Sequence, residues 1–179
     1  MSKKNLKLIF SLCFFLGLMN SIYSQELPKF QIGIKGDFLV GDSDLNSSYD
    51  VLAGLDAKYF IKQGTKFHHF VNAGILSDVG VSEANLFGIN LGIGTQYDLL
   101  KIKNKPLYLE LGVGGLYTSE KFSTQLIDRT VDTTVSEVDF MANFGIGYRW
   151  SERINTQLNL TQIGSKGTSI GLGVSYSFN

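Results

Sequence analysis

The chain is 179 residues long and carries 16 Lys and Arg against 16 Asp and Glu, with 20 Gly, 2 Pro and a single Cys. That length suits one domain, and a charge balance with no basic surplus argues against a nucleic-acid partner. Cys13 lies inside an apolar N-terminal run, so the chain beyond it can form neither a disulfide framework nor a thiolate centre.

In chain order, Lys3, Lys4 and Lys7 precede an apolar run, Leu8 to Leu18, and a short polar stretch with Ser21, Tyr23 and Ser24. Basic, then apolar, then small and polar is the order of a secretory signal peptide. The run is shorter than the about 20 residues that a spanning helix needs. Residues 1–24 are therefore expected to be a leader cleaved before Gln25, and 25–179 the mature domain. Cleavage removes three lysines and leaves 13 basic against 16 acidic side chains. No later apolar stretch reaches helical spanning length, so membrane entry would require a β-barrel.

Alternation of period two, the mark of a β-strand with two unlike faces, divides the mature domain into eight segments. Phe30 to Val40 sets Phe30, Ile32, Ile34, Phe38 and Val40 against Gln31, Gly33, Lys35 and Asp37. Val51 to Ile61 sets Leu55, Ala57, Tyr59 and Ile61 against Gly54, Asp56, Lys58 and Phe60. In Lys66 to Leu76, Phe67, His69, Val71, Ala73 and Ile75 are read outward, which leaves Asn72 and Gly74 inward together with Phe70 and Leu76. Leu86 to Asp98 sets Phe87, Ile89, Leu91, Ile93 and Tyr97 against Gly88, Asn90, Gly92, Gly94, Gln96 and Asp98.

Leu107 to Thr118 sets Leu107, Leu109, Leu111, Val113 and Tyr117 against Tyr108, Glu110, Gly112, Gly114 and Leu116. Glu137 to Trp150 sets Val138, Phe140, Phe144, Ile146, Tyr148 and Trp150 against Asp139, Met141, Asn143, Gly145, Gly147 and Arg149. Ile154 to Ile163 turns Asn155, Gln157, Asn159 and Thr161 inward. Thr168 to Asn179 alternates throughout, with Ile170, Leu172, Val174, Tyr176 and Phe178 on one face and only Ser and Gly on the other.

These segments predict an all-β fold, an eight-stranded antiparallel up-and-down transmembrane β-barrel. Eight is the smallest strand number of the outer-membrane class, whose loops are long on one side and short on the other. The connections Gly41–Asp50, Ser77–Asn85 and Ser119–Ser136 are long; Lys62–Thr65, Leu99–Pro106 and Ser151–Arg153 are short, and the last outer connection, Gly164–Gly167, is brief. The short-turn ends carry outward aromatics, Phe30, Tyr59, Phe67, Tyr97, Tyr148, Trp150, Tyr176 and Phe178, a periplasmic girdle; Phe38, Phe87, Tyr117 and Phe140 form a sparser outer set. A soluble lipocalin-type barrel would turn its apolar face inward. The other face here is too polar and too rich in glycine for a dry core.

With its final Tyr176-Ser177-Phe178-Asn179, where the Phe is penultimate, the whole mature chain resembles the small eight-stranded outer-membrane barrels, the OmpX-like and OmpA-barrel group often called porin-family. The resemblance implies a Gram-negative outer-membrane location, lipid as surroundings, and handling of the C-terminal strand by the barrel-insertion machinery. A peptidoglycan-binding domain of the OmpA type is not expected after the barrel.

Side chains nearly fill an eight-stranded lumen. Pairing Val40 with Val51 would place Lys35 opposite Asp56, and Lys35, Asp37, Asp56, Lys58, Glu110 and Arg149 are expected to form an inward charge network that plugs the barrel, since buried charges need partners. The adjacent His68 and His69 must point to opposite faces, and with no nucleophile and base to pair, no catalytic residue is assigned. Asp42, Asp44 and Asn46 space like the start of a calcium loop, but Ser47 replaces its Gly and Ala53 stands at the position of its Glu, so the reading is a solvated loop without metal or cofactor. The connection 119–136 is the best candidate for an extracellular partner. The expected role is structural or surface-binding; the alternatives are a narrow solute pore and, more remotely, a lipid-modifying enzyme.

Overall fold

The computed structural model describes residues 29–40, 51–79, 84–102, 105–126, 129–164 and 167–178. Eight strands run β1 (Phe30–Val40), β2 (Val51–Gln63), β3 (Phe67–Asp78), β4 (Ala84–Ile102), β5 (Lys105–Leu126), β6 (Arg129–Arg149), β7 (Ile154–Ile163) and β8 (Gly167–Phe178). Each pairs antiparallel with its sequence neighbour, and β8 closes on β1 from Phe30↔Phe178 to Val40↔Thr168. Closure removes the free edges that an open sheet would leave. The expected leader and the aspartates of the connection 41–50 lie outside the described residues.

Alternation carries through the wall. Ile34 is 62% exposed and Leu172 60%, whereas their inward neighbours Gln31, Asp37, Ser169 and Ser177 are buried. The facing chosen for the third segment holds, with Val71 and Ile75 exposed and His68, Phe70 and Leu76 buried. Inward glycines give the interior its room. A Cβ on Gly147 would enter the Tyr108 ring, one on Gly171 the Asp37 carboxylate, and one on Gly112 the Asn143 amide.

Three expectations need correction. The register of the first hairpin is Phe38↔Val51, which places Asp56 opposite Gly33 and Gly54 opposite Lys35. A shift of two residues keeps every side chain on its face, so the alternation is blind to it, and the long connection imposes no register of its own. The supposed turn 99–106 is mostly strand: β4 reaches Ile102 and β5 starts at Lys105. The supposed loop 119–136 is mostly a ribbon, in which β5 and β6 stay paired from Ser119↔Ser136 to Leu126↔Arg129. β4 accompanies β5 only to Phe122, and β7 meets β6 only from Met141, so the tip of the ribbon rises beyond its neighbours. Thr and Val between 130 and 138 suit a strand. The polarity that suggested a loop reflects a strand with solvent on both faces.

Two bulges interrupt the pattern, both at the end that carries Phe30 and Phe178. One lies between Phe60 and Lys62, the other between Asp98 and Leu100. An extra residue reverses the alternation after it. Lys62, which period two would turn inward after Phe60, therefore pairs with the outward His69 and is exposed.

Candidate functional site

The lumen is stratified. At the end with the long connections, Leu39, Leu52, Leu76, Leu86, Leu116, Met141 and Ile163 form a buried apolar cluster to which each of β1 to β7 contributes one side chain. β8 brings the buried Ser169 instead. The alternation does not reveal this layer, because each strand supplies at most one member and only closure brings the seven together. Leu116 is almost fully enclosed, so Leu116→Ala is expected to destabilise the barrel by about 2–5 kcal/mol, read as a lower urea midpoint for loss of the folded gel band.

Below the apolar layer, Glu110 is the hub of a polar network. Its carboxylate is 2.7 and 2.8 Å from Lys58 Nζ, accepts from Gln96 Nε2 at 2.8 Å and from Asn143 Nδ2 at 3.5 Å, and is buried. Lys58 also donates to Gln157 at 3.1 Å and lies 5.2 Å from the centroid of the Phe70 ring. Lys58 and Glu110 stand on β2 and β5, which are not neighbours in the sheet, so the pair crosses the lumen. A cavity of about 60 Å³ adjoins them, with Lys35, Asp56, Asn72 and Asn90 also in its lining. That is room for a few waters.

A second charged group lies towards the aromatic end. Arg149 donates to Asp98 at 3.2 Å and to Gln96 at 3.0 Å, and its guanidinium lies 5.0 Å from the centroid of the Tyr108 ring. His68 Nε2 is 3.4 Å from Asp98. Gln96 therefore links the two groups, donating to Glu110 and accepting from Arg149. Phe60 and Phe70, both buried, pack edge to face with centroids 5.8 Å apart.

Of the six charged residues read from the sequence, the structure brings together Lys58 with Glu110, and Lys35 with Asp37 at 3.1 Å. Lys35 is not joined to Asp56, because the register differs by two; Asp56 lines the cavity instead. Arg149 belongs to the separate group with Asp98. Gln96, Asp98, His68 and Gln157 are further members of the site. Their inward positions follow from alternation, but their partners lie on non-adjacent strands, which alternation does not specify.

The aromatic rim is built as pairs on the outer wall. Tyr148 and Trp150 have centroids 4.9 Å apart, Tyr176 and Phe178 4.9 Å, Phe67 and Tyr97 4.7 Å, and Phe30 and Phe178 6.0 Å. Tyr59 is exposed at the same end, opposite Phe30. His69 faces outward and bonds Thr95, so the two histidines point to opposite faces. Among the described residues, no three His, Cys, Asp or Glu side chains converge as a metal-binding group.

No family model and no curated protein matches this sequence. Solved structures do. The N-terminal β-barrel domain of OprF from Pseudomonas aeruginosa superposes with a TM-score of 0.55 at 15% identity, covering 86% of this chain and 100% of that one. Neisserial surface protein A gives 0.55 at 12% identity, with 86% and 100% covered. Ail, the attachment invasion locus protein of Yersinia pestis, solved with the heparin analogue sucrose octasulfate, gives 0.55 at 12%, with 83% and 96% covered. At these identities the likeness is one of fold. Eight antiparallel strands closed in sequence order, with an apolar outer wall and a filled polar lumen, make this chain a barrel with the fold of the small eight-stranded outer-membrane β-barrels.

Proposed function

We propose that this protein spans the outer membrane as a closed barrel and acts at the surface through the β5–β6 ribbon, after export directed by its N-terminal leader. The observation that carries the membrane reading is the outer wall, where Ile34, Leu55, Leu91, Ile93, Leu111 and Leu172 are all about half exposed or more. A contiguous apolar band of this kind is unfavourable in water and matches the band that outer-membrane barrels present to hydrocarbon. The aromatic pairs at one end suit the headgroup level, where an apolar ring with a polar edge is favoured.

The filled lumen supports a structural or adhesive role over a solute pore. A permeating ion would have to cross the layer of seven apolar side chains and Ser169, and then displace the Lys58–Glu110 and Arg149–Asp98 pairs. At the loop end, the described acidic residues Asp78, Glu120, Asp132, Glu137 and Asp139 outnumber the described basic ones, Lys121 and Arg129, so the proposed outer partner is not a polyanion of the kind seen on Ail.

Cell fractionation with heat-dependent gel mobility tests the membrane reading. The protein is expected in the outer-membrane fraction, running at a different apparent mass unboiled than boiled. Recovery from the periplasm with identical mobility would overturn it. Reconstitution in planar bilayers is expected to give no steady conductance, and a reproducible step would favour the pore.

A further inference from the structure

The charge of this barrel is divided along its axis. At the end that carries both Phe30 and Phe178, the exposed charged side chains among the described residues are Lys29, Lys62, Lys66, Lys105 and Arg153 against Glu152. The opposite end has the reverse sign. No ion pair among the described residues holds any of the five basic groups.

These groups are fixed in place by backbone rather than by acids. Lys29, Lys66 and Arg153 each lie just off a strand end, and their carbonyls accept from Phe60, Asp98 and Ser177 at 2.9, 2.8 and 2.7 Å. Lys62 is turned outward by the bulge that follows Phe60. Each of four also adjoins an aromatic of the rim. Lys29 precedes Phe30 and Lys66 precedes Phe67; Lys105 Nζ donates to the Trp150 carbonyl, and Arg153 donates to Tyr176 Oη at 3.1 Å.

We propose that this basic rim is a seat for the headgroups of acidic phospholipids in the leaflet at the barrel's short-turn end. The inference rests on the membrane-spanning reading above. Interfacial aromatics set the depth at which the rim lies, which is the depth of lipid phosphates. Unpaired cations at that depth are attracted by an anionic leaflet, and long Lys and Arg side chains reach the headgroups from the wall. The same polarity opposes inversion of the barrel, because the acidic loop end would then face that leaflet.

Trp150 is the chain's one tryptophan, is 54% exposed on the outer wall and touches Lys105, so it reports on neighbouring lipid. The full chain folded in phosphatidylcholine vesicles would be titrated with brominated phosphatidylglycerol or brominated phosphatidylcholine, and Trp150 quenching compared. The expected preference for phosphatidylglycerol is about fivefold, the size that one lysine near an anionic surface supplies. It should fall towards unity at about 1 M salt, where screening shortens to ~3 Å. Lys105→Gln with Arg153→Gln should lower it, and Lys121→Gln at the far end should not. Equal quenching by the two lipids, or a preference unaffected by salt, would overturn the proposal while leaving the membrane reading intact. Absence of quenching by either lipid would overturn both. The salt series uses the unaltered protein, so the test stands even if the double variant fails to fold.

Discussion

Glu110→Ala is expected to destabilise the folded barrel by about 3–5 kcal/mol, the cost of leaving one member of a buried ion pair without its partner. Lys58 Nζ has both carboxylate oxygens of Glu110 within 2.8 Å, and its other polar contact, Gln157, is neutral. With the carboxylate gone, an ammonium remains in the lumen, and Gln96 loses the acceptor that aligns it between Glu110 and Arg149. Urea unfolding in detergent micelles, followed by the unboiled gel band, measures the loss. Lys58→Met with Glu110→Met removes both charges and should recover most of it, since an apolar replacement of a whole pair is often neutral. If the double variant were as weak as Glu110→Ala, packing around Glu110 rather than its charge would be the cause.

Gly114→Val is expected to cost at least about 3 kcal/mol, at the upper end of overpacking effects, and to reduce refolding yield. Gly114 faces Gly92 across the β4–β5 ladder. A Cβ on Gly114 would run into the Leu91 carbonyl and approach Gly92 Cα to 2.9 Å. These are backbone atoms of the adjoining strand, so no rotamer change relieves the contact and the two strands would have to part. Gly36 provides the contrast, because a Cβ there meets nothing within 4 Å. Gly36→Ala should leave stability unchanged or raise it by up to about 1 kcal/mol, as removal of a strand glycine does. The same unfolding assay ranks the two, and equal effects would show that close strand approach at Gly114 is not what requires glycine.

The strands and their facing were legible because a barrel wall between hydrocarbon and a polar lumen writes period two into every segment. Even the ambiguous third segment resolved correctly, since Asn72 and Gly74 outweighed Phe70 and Leu76. What misled was reading polarity as loop. Residues 119–136 are polar and yet mostly strand, because above the barrel both faces of the ribbon, exposed from Asp132 to Val138, meet water. The stretch 99–106 carries no long run of alternation, because a bulge after Asp98 breaks the period inside a continuous β4.

The candidate site was legible only by face. Lys35, Asp37, Lys58, Glu110 and Arg149 each stood on the inward side of its own strand, but their pairing depends on distances across the lumen and on register. Lys35 shows the difference: a register shifted by two left it facing inward and changed its partner from Asp56 to Asp37.

By itself, then, the sequence determined that this is an eight-stranded barrel with an apolar outer wall, a polar filled interior and aromatics gathered at one end, because these are local patterns repeated strand by strand. Closure decided the rest. It set which charges meet across the lumen, gathered seven isolated apolar side chains into one sealing layer, and, through bulges that reverse the alternation, turned Lys62 outward into a basic rim. The first two depend on shear and register between strands distant in the chain, and the third on an irregularity in the pairing of β2 with β3, quantities that no single segment carries.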